Sequence, residues 1–164
     1  MNELDYKILR ASGDDREEVL KLYKTQLGRE FCPWDDEYPS NGTIDFDLSR
    51  NSLFVMKDGS RIIAAISIED DEDVDNLECW NKKLLPGGEL ARLAVSPEYQ
   101  NRGLARKLIE FGMEELKRRG FKSIHFLVDK HNVKAIKSYA PFGFNIVGEC
   151  FMYEHDYSCY EKEL

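Results

Sequence analysis

Residues 93–106 read Leu93-Ala94-Val95-Ser96-Pro97-Glu98-Tyr99-Gln100-Asn101-Arg102-Gly103-Leu104-Ala105-Arg106. An apolar, β-prone run ends at Ser96-Pro97, a short polar loop follows, and a long helical pattern begins. The first turn of a helix leaves N–H groups unpaired and carries partial positive charge, so such a junction can hold phosphate oxygens. Gly103 lets a phosphate approach the backbone, and Arg102 and Arg106 add cationic donors. A plain strand-to-helix turn has the same spacing, and neither GxGxxG nor GxxxxGK[ST] occurs here.

The remaining reactive side chains point to less. Cys32, Cys79, Cys150 and Cys159 form no CxxC pair, and His125, His131 and His155 lack zinc spacing. They read as free thiols and no metal site. Residues 31–39 (Phe31-Cys32-Pro33-Trp34-Asp35-Asp36-Glu37-Tyr38-Pro39) mix aromatics with carboxylates. That mixture suits an ammonium ligand; equally, its aromatics can pin an irregular loop onto the core. The acidic run Glu69–Asp75 is expected to be a solvated loop, with steering of cationic substrates as the other reading.

The elements that would position these residues follow from periodicity and punctuation. Tyr6–Ala11 is predicted as a strand, 15–27 as a helix opened by Ser12-Gly13-Asp14-Asp15, and Ile44–Leu48 as a short helix. Ser52–Met56 and Arg61–Ile68 flank Asp58-Gly59 and predict a hairpin. Glu89–Val95 is a strand whose alternation would put Glu89, Ala91, Leu93 and Val95 on one face. A helix spans Arg102 to Arg119 on the stripe Leu104, Leu108 and Leu116, and Gly120 ends it. Ser123–Val128 is a strand, Val133–Tyr139 a helix stopped by Pro141, and Phe144–Val147 and Glu149–Tyr160 are strands around Gly148. The fold class is α/β (mixed α+β), in one domain spanning 1–164.

Gln100-Asn101-Arg102-Gly103-Leu104-Ala105 matches (Q/R)-x-x-G-x-(G/A), and the chain here resembles the GNAT superfamily of acyl-CoA-dependent N-acyltransferases. Leu93-Ala94-Val95-Ser96-Pro97 looks like that family's pantetheine-binding strand. Asn132-Val133-Lys134-Ala135-Ile136-Lys137-Ser138-Tyr139, with Gly143-Phe144, resembles its N-x-x-A-x-x-x-Y…GF segment. The likeness is strong over 89–148 and one of pattern over 1–88. It implies a central mixed, mostly antiparallel sheet splayed between strands 4 and 5 and flanked by helices, with acetyl-CoA in the split. It further implies that Leu93, Ala94 and Val95 meet the pantetheine arm, that Gln100 belongs to the cofactor site, that Asn101 to Arg106 hold the pyrophosphate through their amides, and that Asn132 contacts the cofactor arm.

The same resemblance places Tyr139 as proton donor to the leaving thiolate and Glu89 where some members carry their base. Other members use a fifth-strand glutamate; that position is Leu127, a departure, as is Pro141. Trp34, Asp35 and Tyr38 fall in the loop where the family often builds its acceptor pocket. An attacking amine must be neutral, and a carboxylate can take its proton.

Composition sets the outer bounds. The chain has 164 residues, 42% hydrophobic and 33% charged, with net charge −8, as a soluble domain requires. An acidic balance argues against a nucleic-acid partner, and no apolar run is long enough to span a membrane. Within those bounds the resemblance implies a cytoplasmic N-acetyltransferase, moving acetyl from acetyl-CoA to a primary amine in a ternary complex, without metal. A homodimer is compatible with it. Acetylation of a protein N-terminus or lysine is the alternative acceptor; a catalytically weak acyl-CoA-binding module is the alternative class.

Overall fold

The computed structural model describes residues 6–30, 32–68 and 71–164. Phe31 of the aromatic loop, and Glu69 and Asp70 of the acidic run, lie outside the described residues. The elements are β1 (Lys7–Arg10), α1 (Arg16–Lys24), α2 (Asn41–Ser49), β2 (Leu53–Asp58), β3 (Arg61–Ile68), α3 (Glu72–Asp75), β4 (Gly87–Val95), α4 (Leu104–Arg118), β5 (Ser123–Asp129), α5 (Val133–Tyr139), β6 (Asn145–Met152) and β7 (His155–Glu163). The sheet order is β1-β2-β3-β4-β5-β7-β6. β4 and β5 are parallel, whereas β1–β2, β2–β3, β5–β7 and β6–β7 are antiparallel. The β4–β5 ladder sets Gly87–Glu89 opposite Ser123–His125, a short pairing of the kind a sheet splayed at that point requires. The chain divides into two units, 1–67 with 92–108, and 68–91 with 109–164.

In the first unit, α1 buries Val19, Leu22 and Tyr23 against Ile44 of α2 and Leu53, Val55, Ile62 and Ala65 of the sheet. α1 stops at Lys24, short of the expected end, because the Thr25 hydroxyl turns back to the Leu22 carbonyl at 2.5 Å. α2 begins earlier than expected because Ser40 and Thr43 cap it reciprocally: the Thr43 N–H donates to Ser40 Oγ and the Ser40 N–H to Thr43 Oγ1. Gly59-Ser60 turns the β2–β3 hairpin where Asp-Gly predicted it.

Tyr23 is 1% exposed, and burial pushes its phenol up to about 12. An unfolded tyrosine ionises near pH 10, so between about pH 10 and 12 the unfolded chain binds fewer protons than the folded one. Stability is therefore complete below pH 10 and falls as pH rises through that window, by about 1 kcal/mol per pH unit. Urea midpoints measured across pH 9–12 should drop accordingly, and Tyr23→Phe should flatten the drop.

In the second unit, α4 lies tight on β4: a Cβ at Gly88 would come within 2.5 Å of Leu116. β7 pairs with the whole of β5 through Tyr157–Glu163 and with β6 through a hairpin. That hairpin turns at Tyr153 and Glu154, both left-handed (φ 51° and 65°), the conformation a tight two-residue turn demands. The break expected at Gly148 is instead a register shift inside β6, a usual role for glycine within a strand. The acidic run is not simply a solvated loop. Asp71 caps α3 through the Asp73 N–H at 2.8 Å, and Val74 is buried with Trp80 and Cys159. Cys79 and Cys150 pack on the same cluster, and the four cysteines are free. Burial pushes the Cys159 thiol far up, which leaves it inert.

Candidate active site

The first unit contains residues 92–106. Arg92, inside β4, is left-handed at φ 47°, a costly conformation for a residue with a Cβ. Its buried side chain explains how it is held. Nη2 and Nε donate to Asp47 Oδ2 of α2, at 2.5 and 3.2 Å, and Nη1 donates to the Tyr38 hydroxyl at 3.0 Å. Asp47 is fully buried and also accepts from Ser67 Oγ at 2.8 Å and Arg50 Nη2 at 3.0 Å. A left-handed residue breaks the two-residue alternation of a strand, so the single face expected for Glu89, Ala91, Leu93 and Val95 does not follow from their spacing.

Beyond Arg92, Leu93 and Val95 are half-buried and Ala94 faces the core. The Val95 carbonyl accepts from Gln26 Nε2 at 2.9 Å and Gln100 Nε2 at 3.2 Å. With both lone pairs engaged, any pantetheine pairing at Val95 runs through something other than this carbonyl. Gln100 Oε1 accepts from Arg29 at 2.6 Å; the Gln100 side chain thus braces the turn from within rather than facing a ligand.

The turn then rises into solvent. Asn101 and Gly103 are both left-handed (φ 62° and 77°), and Asn101, Arg102 and Gly103 are exposed. Among the described residues, no atom beyond the adjoining Arg102 and Leu104 lies within 4 Å of where a Cβ on Gly103 would stand. The Lys107 N–H donates to the Gly103 carbonyl at 3.2 Å, so α4 starts here and the N–H groups of Leu104, Ala105 and Arg106 precede its hydrogen-bond ladder. Leu104 itself is buried and Ala105 half-buried, while Arg106 is exposed. The Arg102 guanidinium lies 5.0 Å over the Tyr99 ring.

The acceptor-loop candidates divide in role. Trp34 packs edge-on against Tyr23 at 5.4 Å and is a core anchor. Asp35 Oδ1 accepts the N–H groups of Glu37 and Tyr38 at 2.8 and 2.9 Å, an Asx turn that shapes the loop. Tyr38 is 45% exposed, its hydroxyl held by Arg92.

The second unit holds Glu89, Asn132 and Tyr139. Glu89 is 6% exposed and its Oε1 accepts the Asp71 N–H at 3.3 Å. Asn132 caps α5, accepting the Ala135 N–H at 3.0 Å. The half-buried Tyr139 sits among Phe126, Phe144 and Tyr160, 4.5–6.1 Å between centroids. Burial, with Tyr160 adjacent, pushes its phenol up to about 12, so at neutral pH it carries its proton. Pro141 does not displace the tyrosine from the helix: α5 runs to Tyr139, and Ala140–Phe142 continues as a 3₁₀ turn. Among the described residues no group of three or more His, Cys, Asp or Glu side chains is placed to hold a metal, and no helix is long and apolar enough to cross a membrane.

A family model of the acetyltransferase (GNAT) family matches residues 16–144. The chain belongs to that family. Among relatives, the [ribosomal protein bS18]-alanine N-acetyltransferase of Escherichia coli K12 is 39% identical over 62 residues, 38% of this chain and 42% of that protein. The spermidine N(1)-acetyltransferase of the same strain is 36% identical over 63 residues, 35% of this chain and 32% of that protein. These matches cover less than half of each relative. Solved structures share the GNAT fold end to end: smu.2055 of Streptococcus mutans UA159 at TM-score 0.76 and 18% identity, covering 96% of this chain and 98% of that one, and the paia N-acetyltransferase of Thermoplasma acidophilum, solved with coenzyme A, at 0.71 and 17%, covering 98% and 99%.

For this GNAT chain, sequence reasoning missed Arg92, Asp47, Gln26 and Arg29. A signal existed for two of them. Arg92 interrupts Leu90-Ala91-Arg92-Leu93-Ala94-Val95, and Asp47 sits between Phe46 and Leu48; a charge embedded in an apolar run needs a buried partner. No local pattern marks Gln26 or Arg29, since both act through backbone and side chains about 70 positions away.

Proposed function

We propose that this chain, acting as a single domain over 1–164, transfers the acetyl group of acetyl-CoA to a primary amine by direct attack in a ternary complex. The observation that carries this reading is the exposed turn at Asn101–Gly103, which presents amides at the start of α4 with open space over Gly103. Helix N-termini favour phosphate, and a solved GNAT neighbour is a coenzyme A complex. Acetyl-CoA supplies an activated thioester; the amides of Asn101 to Arg106, with Arg102 and Arg106, would hold its phosphates.

The acceptor nitrogen must lose a proton as it attacks. For a lysine-like amine this costs about 4–5 kcal/mol at pH 7. Glu89 takes that proton. As the C–N bond forms and the C–S bond breaks, the Tyr139 hydroxyl gives its proton to sulfur. Water then returns the proton from Glu89 to Tyr139, and both groups regain their starting state. The relatives' names give a protein alanine and spermidine as acceptors, which supports an amine here and leaves its class to an acceptor screen with both a polyamine and an N-terminal alanine peptide.

Calorimetry of acetyl-CoA against Gly103→Glu is the direct test. A carboxylate in the phosphate seat, on a backbone at φ 77°, should weaken binding at least about tenfold, the loss of one charged contact; unchanged affinity refutes the seat. Tyr139→Phe keeps the ring packing and should slow the chemical step by about 10²-fold with acetyl-CoA affinity unchanged. Parent-like single-turnover rates would make Tyr139 a packing residue only.

A further inference from the structure

Glu89, His125 and Glu161 stand in register on three neighbouring strands: Glu89 of β4 opposite His125 of β5, and His125 opposite Glu161 of β7. Residues so paired project to the same face. They are 6%, 1% and 3% exposed, which ionisable side chains tolerate only with polar partners. One segment supplies a partner to each. The Asp71 N–H donates to Glu89 Oε1 at 3.3 Å, Asp75 Oδ1 lies 2.7 Å from His125 Nε2, and the Asn81 N–H donates to Glu161 Oε2 at 3.0 Å. Trp80 stacks on the imidazole at 4.4 Å and donates its indole N–H to the Val74 carbonyl at 2.7 Å. At the near end, the Tyr153 hydroxyl donates to Asp71 Oδ2 at 2.5 Å. Residues 71–81 are thus a strap fastened once to each of three strands.

We infer that His125 and Glu161 are positioning residues for acetyl transfer. They hold the strap, the strap presents the Asp71 N–H, and that N–H orients the Glu89 carboxylate. This rests on Glu89 being the base. None of these three polar side chains faces its strap partner by sequence proximity; the row exists because the β4–β5 and β5–β7 registers align it. An inserted or deleted residue in any of the three strands would dissolve it.

Two measurements test the inference, one without catalysis. Amide exchange by NMR should show the strap opening as a unit: Glu161→Leu should deprotect not only Asn81 but also Asp71, at the other end. Asn81→Pro, at a residue whose φ of −69° already suits proline, deletes the donated N–H together with the side-chain cap on the Lys83 N–H; it should do the same and leaves the sheet's own residues untouched. Asp71 protected as in the parent in both variants, with only Asn81 deprotected in Glu161→Leu, overturns the clasp. The second measurement is a double-mutant cycle. His125→Leu should lower kcat/KM for the amine about ten- to a hundredfold, the cost of misplacing a reacting group, with acetyl-CoA affinity unchanged, and His125→Gln, which keeps a donor toward Asp75, should restore most of it. In a Glu89→Gln background His125→Leu should cost nothing further, because no base remains to orient. Additive losses overturn the positioning role and leave His125 a packing residue. If Glu89→Gln alone is silent, the base assignment fails while the exchange result still decides the strap.

Discussion

Glutamine at position 89 should lower kcat/KM for the amine by about 10²–10⁴-fold at neutral pH, the usual contribution of a general base. The substitution keeps size and an acceptor oxygen for the Asp71 N–H, so the strap and fold should be retained. What it removes is a site for the proton. The deficit should therefore shrink as pH climbs toward the acceptor's own pKa, near 10.4 for a lysine-like amine, since free amine then needs no base. The comparison is a pair of kcat/KM profiles from pH 6 to 10, parent against variant, with acetyl-CoA saturating. Parallel profiles, offset equally at every pH, would mean that Glu89 contributes through structure and not by accepting a proton.

Asp47→Ala is expected to be the most damaging single change to stability. The Arg92 side chain is 3% exposed and would keep its charge without the carboxylate it pairs with. Breaking a buried ion pair from one side costs about 3–5 kcal/mol, against a total stability of about 5–15 kcal/mol for a domain of this kind. Ser67 and Arg50 lose an acceptor at the same stroke, and Arg92 loses the carboxylate contacts that hold its left-handed conformation, keeping its bond to the Tyr38 hydroxyl. Asp47→Asn, which keeps an oxygen for Ser67 and Arg92, should lie between parent and alanine. Urea unfolding of the three proteins orders them; asparagine as stable as the parent would show that the charge is not what matters.

The elements whose signals are local were legible in the sequence. Leu104, Leu108 and Leu116 announce α4, Asp58-Gly59 announces the β2–β3 hairpin, and the Gln100–Ala105 hexapeptide announces the exposed turn that opens α4. What eluded it depends on pairing across the chain. The β6–β7 turn was placed at Gly148 because glycine is the stronger local breaker, yet Tyr153 and Glu154 adopt the left-handed turn instead. The acidic run looked fully solvated because its charges are dense; its one turn of helix depends on Val74 and Trp80 finding Cys159. Within the site the same division holds. Gly103 is readable because its backbone does the work, whereas Trp34 and Asp35 have substrate-like side chains whose partners, Tyr23 and the loop's own amides, only the fold supplies.

The two units are not consecutive stretches of chain. The backbone passes from one to the other after Ser67, again after Ala91 and again after Leu108, the three crossings falling inside β3, β4 and α4. Neither unit can therefore be excised, expressed or exchanged with a homologue as a single fragment; a chimaera needs three junctions, all of them within regular elements. A stop codon after α2 or β3 yields no autonomous half, and a recombination event between related genes that falls in residues 68–108 mixes both units at once. Inheritance of this fold is thus effectively all or nothing, and variation between relatives should accumulate by substitution and loop insertion rather than by the shuffling of parts.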